Sequence, residues 1–176
     1  MQPFIFGGPY MTSIHKLDYE SPIGVIEIMA TNEAILSIFF SEKEKKKNLL
    51  QAQTPSVLTE CYTQLDEYFK GERQNFSFSY QLKGTDFQQT VWKALIEIPY
   101  AETVTYQHIA DSIGNEKAIR AVGNANGKNQ LSIVFPCHRV IGSNGTLTGY
   151  AGGLWRKEWL LQHEKKWCQE REDARG

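Results

Sequence analysis

Ten consecutive residues, Ile133-Val134-Phe135-Pro136-Cys137-His138-Arg139-Val140-Ile141-Gly142, carry the clearest chemistry in the sequence. An apolar run delivers the chain to a Pro-Cys-His step, which sets a thiol at the end of a buried segment beside an imidazole. A free cysteine has a pKa of about 8.5, so little thiolate exists at neutral pH unless a base or a positive field shifts it. His138 is the nearest candidate base, by direct contact or through a bridging water. The bland alternative is an inert buried cysteine and a histidine that satisfies backbone carbonyls, the commoner fate of a lone cysteine. The residues downstream weigh against it. Gly142-Ser143-Asn144-Gly145 is a turn, and Thr148-Gly149-Tyr150-Ala151-Gly152-Gly153-Leu154 is a permissive loop around one tyrosine, suited to the floor of a pocket for a flat ligand.

The elements that must hold this string are helical. Val91, Leu95, Ile96 and Ile98 predict a helix from about Phe87 to Ile98, closed by Pro99. A second runs from Thr105 through Ile109 and Ile113 to Gly114, a residue suited to the left-handed position after a helix. Asn115 is placed to cap a third, from Glu116 to about Asn126, with Ile119 and Val122 inward and Arg120 and Asn124 outward. Two short helices across a Gly-Asn turn read as a helix-turn-helix, although any helical hairpin shares that periodicity. Between Ala101 and Lys157 six basic residues face three acidic ones, a modest local excess of positive charge.

The first 83 residues read differently. Ser21 to Phe40 alternates apolar and polar residues around Thr31-Asn32-Glu33 and predicts a β-hairpin. Glu42 to Lys47 is a charge run read as a solvated loop or helix end in preference to a nucleic-acid patch, and Pro55 to Lys70 predicts one amphipathic helix with Cys61 on its core face. Phe76, Phe78 and Tyr80 alternate and predict a third strand. The change from period two to helical patterning places a boundary at Lys83-Gly84, giving units 1–83 and 84–165, with 166–176 as a mobile tail and 1–12 as a loose extension. Cys168, in that tail, is expected to be an exposed thiol. The chain of 176 residues is 41% hydrophobic, which excludes a disordered tail protein, and its net charge of −1 announces no global field for a partner. Three widely spaced cysteines without a CxxC argue against a disulfide framework or zinc ribbon. No apolar run spans a bilayer, so a cytoplasmic protein, or a nuclear one in a cell with a nucleus, is expected.

The string FPCHRVIG, preceded by AIRAVGNANGKN and followed by GTLTGYAGGLWRKEWLLQHE, resembles the signature of the O6-alkylguanine-DNA alkyltransferases, also called methylated-DNA-protein-cysteine methyltransferases. GTDFQQTVWKALIEIPYAETVTYQHIADSIG is similar to the opening of that family's active-site domain, and SPIGVIEIMATNEAILSIFF to its N-terminal hairpin. The resemblance covers roughly Ile14 to Glu164. It implies an α+β protein: a ribonuclease H-like α/β domain followed by a mainly helical, winged-helix-like domain with a helix-turn-helix. The implied activity is suicide DNA repair, in which an alkylated guanine is flipped out of the duplex and its alkyl group moves irreversibly to the protein's own cysteine. The substrate is double-stranded DNA bearing O6-alkylguanine, with O4-methylthymine left open. No cofactor, metal or membrane partner is implied, and the protein is expected to act as a monomer, with cooperation along DNA left open.

Position by position, the resemblance makes Cys137 the alkyl acceptor, His138 the base, Glu164 the carboxylate that orients it, and Asn129 the organiser of the pocket segment. Tyr106 matches the tyrosine beside the target phosphate, and Arg120 the finger that fills the gap left by the flipped base in the minor groove. Gln107, Asn115 and Ser143 match DNA-backbone contacts, and Val140, Tyr150, Ala151, Gly152 and Ser132 the substrate pocket. The sequence departs from the pattern at Ala101 (usually glycine), Phe135 (usually a smaller aliphatic), Ala151 (often serine) and Ser132 (proline in some members). A non-catalytic lesion-binding relative and a helix-turn-helix transcription factor are the competing readings. Cys137 argues against the first, and the lack of a visible dimerisation zipper against the second.

Overall fold

The computed structural model describes residues 13–176, so the expected extension 1–12 lies outside the described residues. Three strands, β1 (His15–Ser21), β2 (Gly24–Ala30) and β3 (Ile35–Phe40), form an antiparallel sheet in the order β1-β2-β3, and α1 (Ser56–Phe69) packs across it. The hairpin predicted from residues 21–40 is β2-β3, with Ile28 paired to Ile38 on one side and Leu17 on the other. Its partner β1 was not foreseen, although Lys16, Asp18 and Glu20 alternate with Leu17 and Tyr19. Asp18 is nevertheless buried, since the backbone amides of Lys47 and Asn48 and the Lys43 ammonium all donate to its carboxylate. The charge run is therefore partly tied down. The third strand expected at Phe76–Tyr80 does not form. Tyr80 makes one isolated bridge to Ile35, while Phe76 packs on Tyr68 and Tyr80 turns its ring edge-on to Phe135.

The second half holds α2 (Asp86–Ile96), β4 (Val104–Thr105), α3 (Tyr106–Ser112), α4 (Ile119–Gly127), β5 (Val140–Ile141) and α5 (Leu154–Arg175), with β4 and β5 paired in parallel. α2 opens with a reciprocal capping box between Thr85 and Gln88. α3 ends in a Schellman turn: Asn115 N–H donates to Ala110 O, Gly114 N–H to Asp111 O, and Gly114 takes φ 73°. Asn115 does not cap the next helix. Its carbonyl accepts from Ala118 N–H, and α4 starts only at Ile119, later than the expected Glu116. The buried face holds Val122, Ala125 and Asn126, and Ile119, now the first residue of the helix, is 41% exposed instead of inward.

The halves are sewn together. Ile38 N–H donates to Gln130 O and Ser132 N–H to Ile38 O, while within the second half the buried Trp92 indole donates to Ala125 O. Residues 166–176, expected as a mobile tail, form the last part of α5, helical to Arg175. Trp167 lies against Gly71, where any Cβ would collide with its ring, and Arg171 donates to Gly71 O. Cys168 is accordingly half-buried. Among the described residues no helix is long and apolar enough to cross a membrane.

Candidate active site

Two consecutive γ-turns deliver the cysteine. Val134 N–H donates to Ser132 O across Ile133, whose φ of 73° is the strained form of that turn, and Cys137 N–H donates to Phe135 O across Pro136. Cys137 then opens a single 3-10 turn, Cys137–Arg139. Turns this tight leave inward carbonyls, and Asn129 satisfies them. Its Nδ2 donates to Phe135 O at 2.8 Å and reaches Leu131 O and the Cys137 Sγ at 3.3 and 3.2 Å, while its Oδ1 accepts from Leu131 N–H. One amide side chain thus fixes the turn and points a donor at the thiol.

Behind the thiol lies a buried charge cluster. His138 Nε2 sits 2.7 Å from Glu164 Oε2, both side chains wholly buried. Oε2 also accepts from Tyr68 OH at 2.6 Å and Arg139 Nη2 at 3.1 Å, and Oε1 from Arg139 Nε at 2.7 Å and Ala101 N–H at 3.2 Å. Burial alone would favour a neutral Glu164, but the charge and hydrogen bond of His138, and then those of Arg139, outweigh it and hold the carboxyl well below the usual range. Facing an ionised Glu164, Nε2 carries the imidazole proton. That leaves Nδ1, buried and without a protein partner, as the basic atom.

Lys157, in the first turn of α5, is fully buried beneath the glycine loop and donates to Val140 O at 2.6 Å and Thr148 O at 2.8 Å. Burial lowers its pKa to about 8, partly offset by attraction to Cys137. For Cys137, burial pushes the thiol up, and the Asn129 hydrogen bond, Lys157 and the amides of Cys137 and His138 pull it back only in part. A resting thiol that needs a base follows from that balance. The loop itself is propped by the N-terminal half. Arg156 donates to Ile23 O and Gly152 O and lies over the Phe40 ring, and a Cβ on Gly152 would strike Phe40 at 2.8 Å and Tyr150 at 2.9 Å.

The remaining residues expected at the site sit apart from this cluster. Tyr106 OH donates to Thr148 O and so touches the loop, whereas Arg120, Asn115 and Ser143 are exposed on the surface. Gln107 is half-buried, its amide donating to Asp111 Oδ1 and Glu116 O across the helix-turn-helix. Of the expected pocket residues, Val140 and Ser132 are buried, Tyr150 has a buried hydroxyl without a partner, and Ala151 is exposed.

Two family models match this chain: the ribonuclease-like domain of 6-O-methylguanine DNA methyltransferase over residues 14–82, and its DNA-binding domain over residues 86–166. The chain belongs to the 6-O-methylguanine DNA methyltransferase family. It is 47% identical over 148 residues to a methylated-DNA–protein-cysteine methyltransferase of Methanosarcina acetivorans, covering 83% of this chain and 95% of that one. A constitutive methylated-DNA–protein-cysteine methyltransferase of Bacillus subtilis is 46% identical, with 83% and 92% covered. Among solved structures, the Mycobacterium tuberculosis O6-methylguanine methyltransferase superposes with a TM-score of 0.77 at 42% identity, covering 88% of this chain and 94% of that one. The M. tuberculosis protein in complex with DNA gives 0.78 at 44%, with 87% and 94% covered.

The methyltransferase fold explains the departure at Ala101. This residue holds φ 65°, a left-handed value that costs a non-glycine residue about 1 kcal/mol, which accounts for glycine being usual there. In this conformation its N–H donates to Glu164 Oε1. Arg139, Lys157 and Tyr68 were not read as site residues. Arg139 and Lys157 stood in the sequence as part of a basic excess, and Tyr68 as a core aromatic at helical spacing. Their polar ends find the site only through contacts 25, 17 and 96 residues away in the chain.

Proposed function

We propose that this methyltransferase repairs O6-alkylguanine in double-stranded DNA by taking the alkyl group onto Cys137, once per molecule. The observation that carries the reading is the buried thiol hydrogen-bonded by Asn129 in a turn whose next residue, His138, is paired to a buried Glu164. In the step, a Cys137 S–C bond forms as the C–O6 bond breaks. The thiol proton passes to His138 Nδ1, directly or through water, and a proton returns to the departing guanine, so that thiol and alkylguanine become thioether and guanine. Tyr106 is the donor proposed for that return, since its phenol lies beside the glycine loop. The thioether is a poor leaving group, which makes the transfer irreversible.

Reaching the methyl carbon requires the base outside the stack. Arg120, exposed on α4, is assigned to the gap it leaves, with Gln107, Asn115 and Ser143 on the DNA backbone. Val140, Tyr150, Ala151, Gly152 and Ser132 are assigned to the pocket. The exposed Ala151 offers no hydroxyl, so guanine recognition there falls to backbone amides. Residues 84–165 would carry chemistry and DNA contact, residues 1–83 the support, in a monomer acting in the cytoplasm or nucleus. The test is peptide mass spectrometry after mixing the protein with a duplex holding one O6-methylguanine. One methyl on the Cys137 peptide, saturating at one per protein, is the expected result. Tight binding without a mass change would overturn the reading in favour of a lesion sensor.

A further inference from the structure

The active-site carboxylate is held from outside the DNA-binding half. Tyr68, on α1 of the N-terminal half, donates its hydroxyl to Glu164 Oε2 at 2.6 Å, the same oxygen that faces His138 Nε2 at 2.7 Å. We propose that Tyr68 is a positioning residue for alkyl transfer, fixing Glu164 and, by sharing that oxygen, setting how strongly His138 holds its proton. The inference rests on the proposed roles of His138 as base and Glu164 as its orienting carboxylate.

Packing accounts for the Tyr68 ring but not for its hydroxyl. The ring is wholly buried among Phe69, Phe76, Tyr100 and His163, contacts that a phenylalanine would make equally well. The hydroxyl, by contrast, meets a carboxylate, and a charged acceptor makes that bond short and strong. Burial first, and the charge of Glu164 next, push the phenol far above its ordinary range, so it stays a donor throughout the working pH. A neutral donor on Oε2 draws off part of the negative charge that the imidazolium would otherwise feel. Without it, Glu164 pulls harder on the His138 proton. The same neighbourhood includes Arg139 beside the carboxylate, Tyr100 and Tyr150 within its field, His163 one residue before it on α5, and Cys137 with Lys157 across the turn. All of these are unchanged in a Tyr68 variant, so a shift in pH dependence reads Tyr68.

The experiment is the pH profile of single-turnover methyl transfer from an O6-methylguanine duplex, with Cys137 labelling followed by mass and folding by thermal denaturation. Tyr68→Phe is expected to move the acid-side midpoint upward by roughly half a unit to one unit, up to about a tenfold change in proton affinity. Replacing Tyr68 by 3-fluorotyrosine keeps the shape and strengthens the donor, so it moves the midpoint downward and remains informative if the phenylalanine variant folds poorly. A folded Tyr68→Phe protein whose midpoint is unmoved or lowered, or a fluorotyrosine protein with no downward shift, overturns the proposal and leaves Tyr68 a packing residue. Wild-type protein that never labels Cys137 would overturn the underlying reading instead. Normal wild-type labelling with unmoved variants overturns this inference alone.

Discussion

Cys61 and Cys137 are both buried thiols on opposite halves of the molecule, 0% and 6% exposed, and they are built for opposite ends. Cys61 lies on the core face of α1 between Leu58 and Leu65, where burial, and secondarily the charge of Glu60, drive the thiol far above its ordinary range. Cys137 suffers the same burial but is met by Asn129, Lys157 and two backbone amides. The difference teaches that a low-dielectric site suppresses a thiolate unless fixed donors are aimed at it. Even so, those donors leave the thiol above its usual range. In the proposed reaction the nucleophile is therefore made at the moment of transfer, by His138, and not stored.

The sharpest break of that comparison is to remove each sulfur in turn. Cys137→Ala abolishes transfer while keeping affinity for methylated DNA. Cys61→Ala transfers at the wild-type rate and loses on the order of 1 kcal/mol of stability in denaturant unfolding. If Cys137→Ala still removed methyl groups, the assignment of the two thiols would be wrong.

Next in size is Glu164→Gln, which takes away the charge behind His138. General-base assistance contributes typically 10²–10⁴-fold, and a loss of about that order in the single-turnover rate is expected. The variant also leaves Arg139 buried beside a neutral amide, so unfolding should show a loss of roughly 3 kcal/mol. The pH dependence has a definite sign. A carboxylate whose folded pKa lies below its unfolded one stabilises the fold above the ordinary carboxylate range, and that contribution fades as pH falls toward the depressed value. Wild-type stability should therefore drop across that acid window, and Glu164→Gln should be flatter there.

Asn129→Ala comes third. It removes the side-chain donor from the Phe135 and Leu131 carbonyls, which keep Cys137 N–H and Phe135 N–H, takes away the hydrogen bond to Sγ and strips the buried Leu131 N–H of its acceptor, while Glu164 and His138 keep their pairing. An unsatisfied buried group costs about 1–3 kcal/mol, and the transfer rate should fall by roughly tenfold or more as the turn loosens. A variant with wild-type rate and a lowered melting temperature would show that Asn129 only holds the turn.

How much of the molecule was legible in the sequence divides along the same line. The Pro136-Cys137-His138 step is local, so its chemistry could be read directly, and the helices around Val91, Ile109 and Val122 follow from their spacing. What periodicity could not supply is long range. Tyr68 is indistinguishable from Leu65 or Phe69 on an apolar helix face until its hydroxyl meets Glu164, and Glu164 itself was reached only through family resemblance. Strand β1 carries a readable alternation, Lys16-Leu17-Asp18-Tyr19-Glu20, that was passed over; what the pattern could not show is the burial of Asp18, which distant amides of Lys47 and Asn48 solvate. Phe76 to Tyr80 alternates like a strand, but its aromatic rings pack on Tyr68 and Phe135 and the backbone pairs only once. The helical form of the tail was missed for a similar reason. Its charges suggested a solvated end, whereas Trp167 and Arg171 anchor one face of the helix to Gly71.

The smallest expected effect belongs to Lys157, and it separates field from scaffold. With a pKa of about 8, Lys157 is charged at neutral pH and loses that charge in mildly alkaline solution. Its attraction for a Cys137 thiolate therefore operates below about pH 8 and fades above it. Lys157→Met keeps much of the buried stem but removes the charge and the two bonds to Val140 O and Thr148 O. Iodoacetamide labelling of Cys137 against pH should shift upward in this variant, with a several-fold slower reaction at neutral pH and rates converging with wild type in alkaline solution. Cys61, shielded in the N-terminal core, should stay unlabelled in both. If the two Cys137 profiles ran parallel at every pH, Lys157 would act by holding the loop through its two carbonyl bonds, and the donors that distinguish Cys137 from Cys61 would reduce to Asn129 and the backbone.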